Sequence, residues 1–236
     1  MKGVNTVSKI YLFGGIGCGE NIFERMSWPE GYDVRFVGWK EPLPGEDFSG
    51  YCARIVRGEE FMEHDILFGV SLGGIAALEI AATCPCIKTV VLVSSAADTS
   101  EYSPLLRFFA KYVPAWAVPF HLLENDRIKS FLVTGSTDRK YAIRSAGFFV
   151  PLGKRYYRMA LEAVKKHDGT LYEKVTAAGC RVLRIHGSDD ALFPAVSQGE
   201  NVRTVKNGTH LMIYMKAREV SSALKDILTA EGTVIP

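Results

Sequence analysis

The sequence predicts an α/β fold: a mostly parallel sheet of about six strands with helices on both faces. Three observations point to it. Apolar strand-like runs alternate with helical periodicity through the first hundred residues, which is the pattern of right-handed βαβ units. One of those runs, Val90-Val91-Leu92-Val93, is apolar on consecutive positions, as a strand covered on both faces requires. A third run, Ile66-Leu67-Phe68, ends in Gly69-Val70-Ser71-Leu72-Gly73 and passes directly into an Ala-rich helix. That strand, tight turn and helix form the setting in which a serine is pushed out of the backbone as a nucleophile.

The elements follow in order. Residues 8–13 read as the first strand, followed by the glycine-rich loop Gly14-Gly15-Ile16-Gly17-Cys18-Gly19 and a short helix from Glu20 to Met26. A dinucleotide fingerprint would need glycine at position 20, where Glu20 stands, and an acidic residue after the next strand, which ends in Val37-Gly38-Trp39. A loop of this kind can instead supply a backbone N–H to an oxyanion. Tyr32 to Trp39 is the second strand, and Phe48 to Arg57 a helix. The strand at 66–68 and its helix come next, then a strand at 88–94.

From Thr99 onward the pattern becomes helical for about eighty residues. Candidate helices are Pro104–Tyr112, Pro114–Leu123, Arg127–Leu132, Gly153–His167 and Leu171–Ala178. The stretch is aromatic (Phe108, Phe109, Trp116, Phe120, Phe131, Phe148, Phe149, Tyr156, Tyr157), and most of these rings are expected to pack against the body. We read residues 99–179 as a helical cap inserted into a core formed by 1–98 and 180–236. The sheet resumes with strands at 180–186 and 201–205, and a helix from Lys216 to Thr229 closes it.

Composition excludes several classes. Apolar content of 47% and charged content of 23% are those of a globular protein. No apolar run approaches the ~18 residues that span a bilayer, and Met1-Lys2-Gly3-Val4-Asn5 opens no export signal. Five cysteines, an odd number, suit reduced thiols and a cytoplasmic location. Cys84-Pro85-Cys86 lacks zinc-site spacing, and no metal, cofactor or nucleic-acid partner is expected. Residues 99–180 carry 13 Lys/Arg against 7 Asp/Glu, within a chain of net charge +2. Such a basic segment suits an anionic partner.

A serine hydroxyl needs a base, and the base an orienting acid. On a parallel sheet these residues should emerge at the carboxyl ends of strands. His210, after the last strand, is the candidate base; His186 ends a strand before Gly187, and His64, His121 and His167 lie in links or the cap. The acid is expected after strand 180–186, where Asp189 and Asp190 are adjacent; Asp190 is preferred, and Asp98 after strand 88–94 is a third candidate.

With these residues in place the chain resembles the α/β-hydrolase family. The resemblance rests on FGVSLGG (68–74), IHGSDDALFP (185–194) and NGTHLM (207–212), in that order, and covers residues 8–97 and 180–229. The second element is similar to the family's His-Gly-x-x-Asp-x-x-Val/Phe-Pro pattern, which places the acid on Asp190. The third is similar to its Gly-Gly-His element, with Thr209 for the second glycine. YLFGGIGCGENIF (11–23) is similar to the Pro-Gly-Leu-Gly oxyanion loop of small bacterial members, with Gly14 for the proline. The resemblance therefore implies oxyanion-binding amides on Ile16 and Leu72. It also implies a hydrolase that cleaves a carboxylic ester or thioester through an acyl-enzyme on Ser71. The aromatic cap suits an apolar acyl group, and its basic charge an anionic carrier such as coenzyme A or acyl carrier protein. An acyltransferase with the same triad, or a non-catalytic ligand-binding member of the fold, are the other classes open. Cys18, two positions after Ile16, is expected to be a bystander rather than a redox-sensitive thiol.

Overall fold

The computed structural model describes residues 7–119, 147–194 and 199–229. Its centre is a six-stranded, all-parallel sheet of order β2-β1-β3-β4-β5-β6. The strands are β1 (Ser8–Phe13), β2 (Tyr32–Phe36), β3 (Ile66–Val70), β4 (Thr89–Val93), β5 (Arg181–Gly187) and β6 (Val202–Val205). The order reverses direction about β1, so β3 follows β1 at the centre and brings its carboxyl end beside that of β1. This is the crevice in which open parallel sheets hold their ligands.

Alternation explains why the inner strands read as apolar runs. In β1, Tyr11 and Phe13 face one layer while Ile10 and Leu12 face the other. Leu67, Val90, Leu92 and Val182 join the first layer; Ile66, Phe68, Val91, Val93, Leu183 and Ile185 join the second. The first layer is covered by α1 (Phe48–Ile55), α2 (Leu72–Thr83), α4 (Lys154–Lys166) and α5 (Thr170–Ala177). The second is covered by α6 (Met212–Met215) and α7 (Ala217–Thr229). Helix α2 is apolar all round because it lies buried between the sheet and its neighbouring helices. Helix α1 starts at Asp47, whose side chain accepts the Gly50 N–H at 2.8 Å. Asp65, fully buried before β3, accepts amides of Lys9 (2.7 Å) and Met62 (2.8 Å), so the strand start is tied to β1.

Several expected elements differ in extent. β2 stops at Phe36, so Trp39 leaves the sheet and turns inward. The segment after the glycine loop is a single 3-10 turn, Glu20–Phe23, and α1 ends two residues before Arg57. Helix α6 precedes the expected C-terminal helix and begins two residues after His210. Between β4 and β5 the described elements are helical: α3 (Pro104–Tyr112), α4, α5 and short 3-10 turns at Thr99–Glu101 and Ala115–Ala117. There is also an isolated antiparallel bridge, Cys18 to Phe149, that the helical periodicity did not predict. The candidate helix Arg127–Leu132, the end of Pro114–Leu123, and Phe120, Phe131 and His121 lie outside the described residues.

The described aromatics of this stretch divide into a packed and an exposed set, with Phe149 and Tyr157 half-buried against the core. Phe148 and Tyr156 are buried, whereas Phe108, Phe109 and Trp116 are about half or more exposed. Helix α3 buries no residue; only Leu106 and Ala110 reach inward, against the small cluster of Ala96, Tyr102 and Phe193. Among the described residues no helix is long and apolar enough to cross a membrane.

A buried ion pair joins this stretch to the sheet. Arg184 of β5 donates two hydrogen bonds to the Glu101 carboxylate, at 2.6 and 2.5 Å, and one to the Ser95 carbonyl. Glu101 also accepts the Ala97 N–H at 2.8 Å. Glu101→Ala leaves the guanidinium buried without its counter-charge, and urea unfolding is expected to show a loss of about 3–5 kcal/mol. The double variant Glu101→Leu/Arg184→Met is expected to recover most of that loss.

Candidate active site

The local sequence makes Ser71 an exception in the backbone. Its φ of 54° and ψ of −120° lie where L-residues are strained, at the joint between β3 and α2. The surrounding glycines are there because nothing larger fits. A Cβ on Gly69 would run into the Gly73 carbonyl, one on Gly73 into the Phe13 carbonyl, and one on Gly74 into Ser95 Oγ. Hydrogen bonds hold the turn from below. The Ser71 N–H donates to the Val93 carbonyl (3.0 Å), and the Ser71 carbonyl accepts from Gly74 N–H (2.9 Å) and Ser95 Oγ–H (2.8 Å). Ser95 was not singled out by the sequence; its position after β4 is the signal that a strand-end search would have used.

The structure brings Ser71, His210 and Asp190 into one hydrogen-bonded chain. His210 Nδ1–H donates to Asp190 Oδ2 at 3.0 Å and Oδ1 at 3.2 Å. That leaves the lone pair of Nε2 to accept the Ser71 hydroxyl at 3.1 Å. His210 and Asp190 are both buried, and the Phe193 ring lies 5.2 Å from the imidazole. Asp190 Oδ1 also accepts the amides of Leu192 (2.9 Å) and Phe193 (3.1 Å). Burial raises the Asp190 carboxyl's affinity for a proton. The charge and hydrogen bond of His210 outweigh it, followed by the charge of His186 and the Phe193 amide, and hold it at about 2.

The alternatives point elsewhere. Asp189 is exposed and accepts the Ser188 hydroxyl at 2.8 Å. Asp98 caps the turn at Thr99–Glu101 through the Ser100 amide. His186 donates Nε2–H to the Phe193 carbonyl, and burial keeps its ring below the ordinary imidazole pKa. It therefore braces the same turn that presents Asp190. His167 donates Nε2–H to the Ala96 carbonyl at 2.9 Å.

Ile16 and Leu72, the expected oxyanion donors, border the same cavity as Ser71 and His210. Leu72 is the first residue of α2, so its N–H has no acceptor within the helix, and the helix dipole favours negative charge there. Cys18 lies on the cavity wall, fully enclosed, and burial pushes its thiol up to about 12. A thiol so reluctant to ionise is a poor nucleophile. The cavity measures about 130 Å³ and its lining is overwhelmingly apolar, with Leu106, Tyr157, Leu161, Val164 and Phe193 among the walls. Trp39 and Tyr156, which also touch the glycine loop, were not singled out as site residues. They stand 24 and 139 positions from their loop partners, and no local pattern marks such contacts. Among the described residues no three His, Cys, Asp or Glu side chains converge as a metal-ligand set.

Comparison with known proteins agrees with this architecture. A family model described as "Alpha/beta hydrolase family" matches residues 16–223. No curated protein matches the chain. Among solved structures, a bromoperoxidase from Bacillus anthracis is 19% identical with a TM-score of 0.67, covering 94% of this chain and 92% of that one. A structure from a study of carboxylesterases of Nitrososphaera gargenis is 16% identical, TM-score 0.65, covering 95% and 90%. An enol-lactonase from Burkholderia xenovorans LB400 is 18% identical, TM-score 0.64, covering 95% and 92%. At such identities the likeness is one of fold.

Proposed function

The chain belongs to the alpha/beta hydrolase family, and from that premise we propose that it is a serine hydrolase acting on an ester or thioester with a short apolar acyl group. The observation that carries this is the uninterrupted chain from Ser71 Oγ through His210 to Asp190, set at the wall of an apolar cavity. Ser71 Oγ attacks the acyl carbon while His210 Nε2 takes the hydroxyl proton. Asp190, ionised throughout the neutral range, fixes the imidazole tautomer and stabilises the imidazolium. The amides of Ile16 and Leu72 receive the oxyanion. His210 then protonates the departing alcohol or thiol, and a water molecule, deprotonated by His210, releases the acid from Ser71. Within the proposed cap, residues 99–179, Leu106, Tyr157 and Val164 wall the acyl pocket.

Cavity size selects the acyl group. An apolar cavity of ~150 Å³ holds benzene, so one of about 130 Å³ suits roughly four to six carbons. A series of 4-nitrophenyl esters is expected to show kcat/KM rising to about C4–C6 and falling for longer chains. A flat profile would remove the cavity as the acyl site. A fluorophosphonate probe tests the nucleophile: wild type is expected to label and Ser71→Ala to stay silent. Failure of wild type to label would favour a non-catalytic ligand-binding protein. Products formed with added alcohols or amines would reveal an acyltransferase. The basic excess of residues 99–180 supports an anionic carrier on the leaving group. Carrier-linked thioesters are then expected to react faster than neutral esters, with an advantage that salt erodes.

A further inference from the structure

The glycine loop is held by two side chains from outside it. Trp39, which leaves the sheet after β2, donates its indole Nε1–H to the Gly15 carbonyl at 2.9 Å. The Cys18 N–H donates to the same oxygen at 3.0 Å. Tyr156 of α4 accepts the Gly17 N–H on its hydroxyl at 3.0 Å. Both side chains are buried, their rings 5.9 Å apart, and Tyr51 packs against both at 6.2 and 6.3 Å. Backbone bonds reinforce the arrangement. Gly19 N–H donates to the Phe148 carbonyl at 2.7 Å, and Val150 N–H to the Gly17 carbonyl at 2.9 Å.

Peptide planarity gives these bonds a consequence at Ile16. The Gly15 carbonyl and the Ile16 N–H belong to one trans peptide plane and point in opposite directions. An indole that draws the carbonyl to one side therefore turns the N–H to the other, and Gly15, Ile16 and Ser71 all border the cavity. The next plane contains the Ile16 carbonyl and the Gly17 N–H, and the Tyr156 hydroxyl anchors it. Only φ and ψ of Ile16 connect the two planes. With both anchored, the Ile16 amide has no soft torsion left.

We infer that Trp39 and Tyr156 are positioning residues for the oxyanion-binding amide of Ile16, anchoring the peptide planes on either side of its Cα. The inference rests on the proposed role of Ile16 and extends it. It also makes α4 a shared element: Tyr156 holds the loop, while the next residue, Tyr157, walls the acyl cavity. The part of the chain that meets the acyl group thus also sets the electrophilic end of the site.

Conservative variants test it. Trp39→Phe and Tyr156→Phe keep a ring but lose the bond to the loop; Tyr51→Phe is the control, because its hydroxyl bonds the Lys40 backbone and, among the described residues, no atom of the loop. With 4-nitrophenyl butyrate, Trp39→Phe and Tyr156→Phe are each expected to lower kcat about tenfold with KM within about twofold, a fraction of what losing a whole oxyanion donor costs. The inhibition constant of butylboronic acid, whose tetrahedral adduct places an oxygen in the hole, is expected to weaken by the same factor. Tyr51→Phe is expected to leave both near wild type, even where its thermal midpoint falls as far as that of the other two. In wild type the Gly17 amide is expected to exchange slowly with deuterium, and in Tyr156→Phe quickly. If fluorophosphonate labels wild type and the two variants keep wild-type kcat and boronate affinity, the inference is overturned alone. A loss of kcat in Tyr51→Phe equal to theirs also overturns it, since general destabilisation then explains the effect. Wild type that does not label overturns the reading of Ser71, and the inference falls with it.

Discussion

Ser71→Ala is expected to lower kcat by on the order of 10⁴–10⁶-fold while leaving the fold intact. The magnitude follows from the hydrogen-bonded chain: without Oγ there is nothing for His210 to deprotonate, and the remaining groups act only on bound substrate and water. The backbone adds a second, separable result. Ser71 sits at φ 54° and ψ −120°, where only glycine rests without strain. Ser71→Gly is therefore expected to be as inactive as Ser71→Ala yet more stable than wild type by about 1 kcal/mol. Urea denaturation measures the stability and turnover of an ester measures the activity. An inactive but no more stable Ser71→Gly would mean that the freedom glycine gains in the unfolded chain cancels the strain it relieves, since the backbone bonds to Val93, Gly74 and Ser95 are kept.

Asp190→Asn is expected to lower kcat by about 10⁴-fold. An asparagine can present its NH₂ to Nδ1, and the imidazole then carries its proton on Nε2, where it cannot accept one from Ser71. The same residue gives a stability signature with a definite sign. An unfolded carboxyl titrates near 3.9, whereas folding holds Asp190 at about 2. The folded state thus favours the ionised form. Its contribution is present in full above about pH 4 and is lost as pH falls toward 2, amounting to about 2 kcal/mol over that window. Urea midpoints of wild type and Asp190→Asn, measured from pH 6 to pH 2, are expected to converge across it. A difference independent of pH would contradict the depressed pKa.

Much of the framework was legible because it is written in short-range pattern. Buried strands are apolar on successive positions, as in Val90–Val93, and a helix that must touch a sheet closely is built of glycine and alanine, as in Leu72–Ala82. Of the residues now joined at the site, Ser71 was found by its strand, tight turn and helix, His210 by the rule that chemistry gathers at the carboxyl ends of parallel strands, and Asp190 by that rule together with the family resemblance. Where local pattern carried less, the expectations drifted. β2 stopped short once its chain was needed to deliver Trp39, and α6 gave no separate signal beside α7. The exposure of Phe108, Phe109 and Trp116 was not legible at all, because an apolar face reads alike whether or not anything covers it.

By itself the sequence determined the order of strands and helices, the strained turn at Ser71, and the strand ends from which Asp190 and His210 emerge. Each of these depends on neighbours a few positions away. Tertiary structure alone decided how Asp190, which the family resemblance had preferred over the adjacent Asp189, meets His210. It also decided that Trp39 and Tyr156 hold successive peptide planes of the glycine loop. Those choices are hydrogen bonds between segments 20 to 139 residues apart. Such bonds impose no period on the chain and become visible only when the sheet and α4 bring their partners together.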